Sequence, residues 1–540
     1  MGQIIFLLDI EMTLNLITWV LAFSPIIIVL VLMMGFHWGG SRAGAVGWFV
    51  AILLGILRFG AGPQLIAYSQ AKAVLLSLDV LYIIWTALLL FHIANEAGAI
   101  RIISDALLSV TADRTIQGLL LGWLFASFIQ GTGGFGVPVA VTAPLLVGLG
   151  FNPVQAVLMA SIGHSWAVNF GSMGTSFQTL IAITGLEGEV LAPDAAFLLG
   201  ISCYVCGIIV AFIAGGWKGM TRSLPFILLL GTVMSVVQYL LATNRMWTLG
   251  ATGASLAGLV VAVGLLRFKA ARLKKNVPQP ELEISSVQTP PVKPINHKLL
   301  IALSCYIILV ILAFSVNLIP AVEDFLGQVT FSLQFPTLTT STGFVTPAES
   351  GRNIHIFSHP GAILTYTSVI AFLIYRKTGY LKPGASKKIL SNVEKGAIKS
   401  SLGILAMVGM ATVMSHTEMT KLLAQGLSEG LGKNLYPLAA PLIGALGAFL
   451  TGSNNNSNVL FGGLQMNTAQ LLNLSVPLIL AAQTAGGSLG SVFSPAKVIV
   501  GCSTVGLSSK EGPVMGRILT YGMITILVMS IVTLILVWVK

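Results

Sequence analysis

Uncharged apolar stretches long enough to cross a bilayer recur from one end of this chain to the other. Those at 14–36, 74–91, 195–217, 224–241, 248–266, 299–319 and 518–539 approach or reach the ~20 helical residues that a hydrocarbon core of ~30 Å requires. Short polar or charged links separate them, and the pattern predicts an all-α polytopic membrane protein.

Two segments break the pattern. Segment 116–150 is centred on Gly131-Thr-Gly-Gly-Phe-Gly-Val-Pro138, a poor helix, since an interior Gly costs ~1 kcal/mol relative to Ala and an interior Pro ~3 kcal/mol. In segment 437–466, Ala448-Phe-Leu-Thr-Gly452 leads into six consecutive polar residues, Ser453-Asn-Asn-Asn-Ser-Asn458. Non-helical backbone at membrane depth persists only where protein or a water-lined cavity satisfies its polar groups. Both segments are therefore read as re-entrant hairpins.

Composition strengthens the membrane reading: 55% of the 540 residues are hydrophobic and 9% charged, against roughly 25% charged in a soluble domain. The formal charge of +11 is a matter of placement, because segments 267–298 and 376–399 carry seven Lys or Arg each, with only Glu281, Glu283 and Glu394 as acids. Short basic loops of this kind are cytoplasmic under the positive-inside rule, and no basic stripe interleaved with aromatics marks a nucleic-acid partner. The hairpin readings keep Arg101, Arg114, Lys510 and Arg517 on the same side. The expected layout is about twelve crossings plus two hairpins, with both termini outside. An N-terminal half (1–267, hairpin at about 116–150) and a C-terminal half (299–540, hairpin at about 437–466) flank a basic cytoplasmic linker, 268–298. Asp9 and Glu11 stand where a signal peptide would be basic, so none is expected. Cys203 and Cys206 have redox-motif spacing but no soluble βαβ context, and with Cys305 and Cys502 they read as helix-packing residues.

The interrupted segments resemble each other. Phe128-Ile-Gln-Gly131 aligns with Phe449-Leu-Thr-Gly452 at an offset of 321, and Pro153, Ser165 and Phe170 pair with Pro477, Ser488 and Phe493 at offsets of 323 or 324. Seven crossings between them, an odd number, make the repeats inverted. Interrupted segments at matching places in two inverted halves point to the binding site of a secondary transporter.

Candidate chemistry follows from these breaks. Gly131–Gly136 matches the dinucleotide fingerprint literally, yet the next acid is Glu187 and no strand precedes it. Its glycines, Gly133, Gly134 and Gly136 beside Phe135, instead permit backbone N–H groups to face an anion. Segment 426–434 lacks the glycine spacing and terminal hydroxyl of a phosphate loop, so no ATP-driven engine is expected. Ser453, Asn454, Asn455, Asn456, Ser457 and Asn458 offer hydroxyls and amides without charge, to line a ligand or ion or to cap two broken helices. Polar stretches downstream, with Ser165 and Asn169 in one half and Ser488 in the other, are placed to close a midplane cavity. His164 is a candidate proton carrier or a hydrogen-bonded structural residue. Lys497 is an intramembrane cation that would attract a carboxylate, or a snorkelling side chain. Asp79 is a candidate to carry a proton or pair with a cation. His416 and Glu418 are expected to face water, and the long segment 321–359, with Glu349, Arg352, His355 and His359, reads as a gate or an exposed loop on the outer side. A membrane-embedded enzyme would need clustered acids, a metal constellation or a nucleophile beside a base, and the acids here are isolated. A passive channel shares the composition.

The chain resembles the L-lactate permease family. Gly134-Phe-Gly-Val-Pro-Val-Ala-Val-Thr142 with 145–151, Asn169-Phe-Gly-Ser-Met-Gly174, Phe449-Leu-Thr-Gly-Ser453 with Ser457-Asn458, and Ser494-Pro495 followed by Val505-Gly-Leu507 carry the resemblance. It implies a proton-coupled importer of small 2-hydroxymonocarboxylates such as L-lactate, D-lactate and glycolate, in a prokaryotic plasma membrane, with hairpin-bearing inverted repeats and no cofactor or metal. A homodimer is left open. The family pattern often has Glu where this chain has Gln130 and Asp where it has Asn454. An amide cannot titrate, which leaves His164, Lys497 or Asp79 as substitutes, sodium as the coupling ion, or an uncoupled carrier of this or another small carboxylate.

Overall fold

A computed structural model of the chain describes residues 14–34, 36, 38–108, 110–134, 136–275, 297–350, 353–507 and 511–539. Phe135, Arg352, Lys510, Asp9, Glu11 and most of linker 268–298 lie outside them. The fold is all-α in its membrane part. Among the described residues nine helices are long and apolar enough to cross a bilayer.

Two of these nine are folded helix pairs. In Gly188–Thr243 the backbone leaves helical geometry at Gly216 (φ +61°), a left-handed conformation costly for any residue with a Cβ. The chain turns back there: Ser235 Oγ donates to Gly200 O at 3.1 Å and Tyr204 meets Thr232 at 2.9 Å. The apolar stretches 195–217 and 224–241 are thus the two arms of one hairpin. Gly432 (φ +62°) interrupts Met419–Thr451 in the same way.

Ion pairs sort the helix ends onto two faces. The 34-residue helix Pro63–Glu96 starts where Gly60 O accepts from Ser341 N at 2.8 Å and ends where Glu96 pairs with Lys388. On the Lys388 face lie the basic segment 376–399 and the Asp113–Arg222 pair. The opposite face carries Glu189, Arg245 and Glu323, which pair together, and segment 321–359. This sorting follows the charge placement expected of a positive-inside protein.

Segment 321–359 is more ordered than a loop. After the helix Pro320–Gly327, three two-residue antiparallel ladders nest one inside another, 330–331 with 354–355, 334–335 with 349–350, and 338–339 with 345–346. Lys72 on the 34-residue helix holds Glu349, and His359 caps the following helix, Pro360–Lys377, accepting from Gly361 N. The expectation that His416 and Glu418 face water is overturned, since each is only 2% exposed. His416 Nδ1 sits 2.8 Å from Ser69 Oγ, so tertiary packing covers a helix end that looks polar in sequence. All four cysteines are free and buried, as helix packing requires.

Candidate functional site

The first interrupted segment runs as helix from Arg114 through a π-helical stretch, Leu120–Phe125, to Thr132, breaks, and resumes as Val137–Gly148. Its two ends are adjacent, because Arg114 Nη2 donates to Gly150 O at 2.6 Å and the guanidinium lies 4.7 Å from the Phe151 ring centroid. The break depends on Gly134 (φ +52°) and Gly136 (φ +89°). A methyl group on Gly134 would overlap Ser172 Oγ. No larger side chain is compatible with that approach.

The second segment breaks at Gly452 (φ +71°), where Ser453 accepts from Asn456 N and opens the helix Asn454–Leu471. The helices on either side pack antiparallel: Ser457 Oγ donates to Gly444 O at 2.7 Å, and Gln465 bonds Ala440 O and Tyr436 OH. Ser457 is therefore committed inside this pair. Asn455 Oδ1 accepts from Ser176 Oγ, and Asn458 Nδ2 donates to Ser176 O and Thr484 Oγ1. Ser453, Asn455 and Asn456 also edge a cavity of about 310 Å³ that continues past Gly40, Ser41 and Gly396.

The two breaks meet around Asn169. Ser172 N donates to Gln130 O at 2.8 Å, tying the loop after His164 to the first break. Asn169 Oδ1 accepts from Thr484 Oγ1 and, at 3.5 Å, from Asn454 Nδ2, tying the same loop to the second. Asn454 Nδ2 also reaches Thr484 O and Oγ1 at 3.3 and 3.2 Å. Asn169 N donates to Ser488 Oγ, which donates to Ser165 O. The ring closes through the helix Pro495–Thr504: Ser494 Oγ lies beside Gly452, and the Lys497 stem passes Gly136. Lys497 Nζ donates to Ser491 Oγ at 3.2 Å.

This ring is buried, polar and short of hydrogen-bond partners. Gln130 Oε1, Asn169 Nδ2, Asn454 Oδ1 and Ser494 Oγ have no protein partner among the described residues. A buried polar atom left unpaired costs ~1–3 kcal/mol, so several at one place mark a position where a polar guest is favourable. Sequence reasoning missed Thr484, Ser172 and Ser494. All three lie within polar stretches noted for their composition, and only the fold shows which members turn to the centre.

The remaining candidates sit elsewhere or are otherwise engaged. His164 closes the helix Pro153–Gly163, with Nδ1 donating to Ala160 O at 2.6 Å and Nε2 buried without a partner among the described residues. Asp79 is away from the ring, held between His359 Nε2 (3.1 Å) and Gln178 Nε2 (2.8 Å). No group of three or more potential metal ligands occurs among the described residues.

A helical bundle whose two chain breaks converge on a buried polar centre bordered by Lys497 has the build of a multi-pass membrane transporter, and the family match makes it one of the plasma membrane and not an enzyme. A profile of the L-lactate permease family matches residues 18–540. The chain belongs to the L-lactate permease family. It is 28% identical to the L-lactate permease of Bacillus subtilis strain 168, over 95% of this chain and 98% of that one. It is also 28% identical to glycolate permease GlcA of Escherichia coli K12, over 95% and 94%. The solved YdaH transporter of Alcanivorax borkumensis superposes with a TM-score of 0.46 and 15% identity over 84% of each chain.

Proposed function

We propose that this protein imports a small 2-hydroxymonocarboxylate, L-lactate, D-lactate or glycolate, together with protons, by alternating access. The substrate binds in the ring between the two breaks, which act as re-entrant hairpins in two inverted halves, 1–267 and 299–540, among about twelve crossings. The observation that carries the reading is the convergence of Gln130, Asn169 and Asn454, each with a buried polar atom lacking a protein partner among the described residues, on one loop shared by both breaks. The names of the relatives, lactate and glycolate permeases, support the substrate class. Lys497 supplies the positive charge for the carboxylate, while Gln130, Asn169 and Asn454 address the hydroxyl and the second oxygen. The Gly133 N–H is spent on Ile129 O, and the backbone N–H groups of Gly134 and Gly136 face the anion. Glu96–Lys388 and Arg222–Asp113 support a cytoplasmic assignment for the basic face.

An anion moving inward against a negative interior is opposed by ~2.3 kcal/mol per charge per 100 mV, and a co-transported proton removes that term. Proteoliposomes given labelled L-lactate are expected to show saturable counterflow, and accumulation that follows an imposed proton gradient. Uptake without counterflow would make the protein a channel. Accumulation that follows sodium and ignores pH would replace the proton, a result the amides at Gln130 and Asn454 would readily accommodate.

A further inference from the structure

Gln130 and Asn454 do not titrate, and the buried carboxylate of Asp79 meets the His359 imidazole at 3.1 Å. Asp79 is 1% exposed and His359 6%. Donor and acceptor roles around them are fixed by chemistry. Gly361 N can only donate, so His359 Nδ1, 3.1 Å away, accepts, and the neutral ring carries its proton on Nε2, facing Asp79 Oδ1. Trp247 Nε1 can only donate, so Gln178 Oε1, 3.3 Å away, accepts, and the Gln178 NH₂ faces Asp79 Oδ2. Both Asp79 oxygens therefore receive donors, the arrangement that suits an ionised carboxylate.

We propose that Asp79, with His359, is the proton-binding site that couples transport, and that Gln178 relays its state to the substrate ring; the proposal rests on the transport reading above. A proton taken from water by the Asp79 carboxylate gives a carboxylic acid whose O–H must find an acceptor. Gln178 provides one by turning its amide over, which sets its NH₂ against the Trp247 N–H, donor against donor, and releases Trp247. A proton placed on His359 Nδ1 would instead break the Gly361 cap of the helix Pro360–Lys377. Either way the added proton breaks a named bond. Gln178 stands in the helix Thr175–Thr184, two residues after Ser176, which holds Asn455 and Asn458 of the second break. Gln178 and Ser176 are less than one helical turn apart, and Asn458 continues from Ser176 to Thr484 of the ring.

The surroundings suit this role. Trp247 lines a cavity of about 800 Å³ under segment 321–359, so water reaches the network at its Trp247 end. Tyr82 stacks on His359 with centroids 5.0 Å apart and planes 7° apart, and Tyr366 lies beside Tyr82. Lys72 is two helical turns from Asp79 on the same helix, with its charge held by Glu349. Arg245, Glu187, Glu189, His355 and His416 border the same cavity.

The test uses full-length protein in proteoliposomes. Asp79→Asn, which imitates the protonated acid permanently, is expected to keep lactate counterflow, make its rate independent of pH and lose accumulation driven by a proton gradient. His359→Gln retains a donor toward Asp79, and is expected to move the midpoint of the pH profile by ~1 unit, the scale of one altered charge-stabilising contact. Gradient-driven accumulation by Asp79→Asn at the wild-type level would overturn the proposal. So would an unmoved midpoint in His359→Gln, which decides the matter if Asp79→Asn does not fold. Absence of counterflow in the wild type would instead overturn the transport reading.

Discussion

Ser488 Oγ donates to the carbonyl oxygen of Ser165 at 2.8 Å, and these two residues occupy matching places in the two repeat patterns, 323 positions apart. Residues related by a two-fold axis can touch only where they lie on it. Their contact agrees with the proposed inverted repeats, whose axis the proposal runs through the ring, beside Asn169.

Ser488 also accepts from Asn169 N at 3.0 Å. Ser488→Ala strands that N–H and the Ser165 carbonyl in a buried site, where a lost partner costs ~1–3 kcal/mol. The expected result is a lower unfolding temperature in detergent together with a loss of lactate counterflow. Unchanged counterflow would remove the axis from the transport site.

Gly134→Ala introduces a Cβ at φ +52° that overlaps Ser172 Oγ, so the first break cannot close on the loop after His164. Transport is expected to fall below detection. Gly148→Ala is the control, because nothing lies within 4 Å of its Cβ position and Ala favours helix over Gly by ~1 kcal/mol. It should transport normally and unfold no earlier than the wild type.

His164→Asn keeps a side-chain N–H for Ala160 O. Because His164 serves the helix terminus here, counterflow should persist with an unaltered pH profile. A flattened profile would return the proton to His164 and away from Asp79.

Much of this was legible in the sequence, and the reasons differ from residue to residue. The breaks at 131–136 and 452–453 were visible because Gly, Pro and clustered Asn are costly in an apolar helix. The contacts of Glu349 and His359 were not, since their partners Lys72 and Asp79 are about 280 positions away and only the fold joins them. Ser457 looked like part of the ligand surface, yet its Oγ is used by Gly444 O within its own helix pair; a polar run in sequence does not say which members turn inward. The ladders of 330–355 escaped notice because two-residue strands leave too short an alternation to read.

Lys497 gives the sharpest test of where the carboxylate sits. Its stem packs along Gly136 and its Nζ reaches only Ser491 Oγ among the described hydrogen bonds, so the charge is free to meet an incoming anion. A hydrogen bond to a charged group contributes ~1.5–3 kcal/mol, equivalent to roughly tenfold to a hundredfold in affinity. Lys497→Met should therefore raise the KM for lactate counterflow by at least about tenfold while leaving thermal stability equal or improved, since a half-buried charge is replaced by an apolar side chain of similar length. Lys497→Arg keeps the charge but spreads it over a wider fork, and should recover part of the affinity. Equal KM values in Lys497→Met and the wild type would place the carboxylate elsewhere in the ring, on the backbone N–H groups of Gly134 and Gly136.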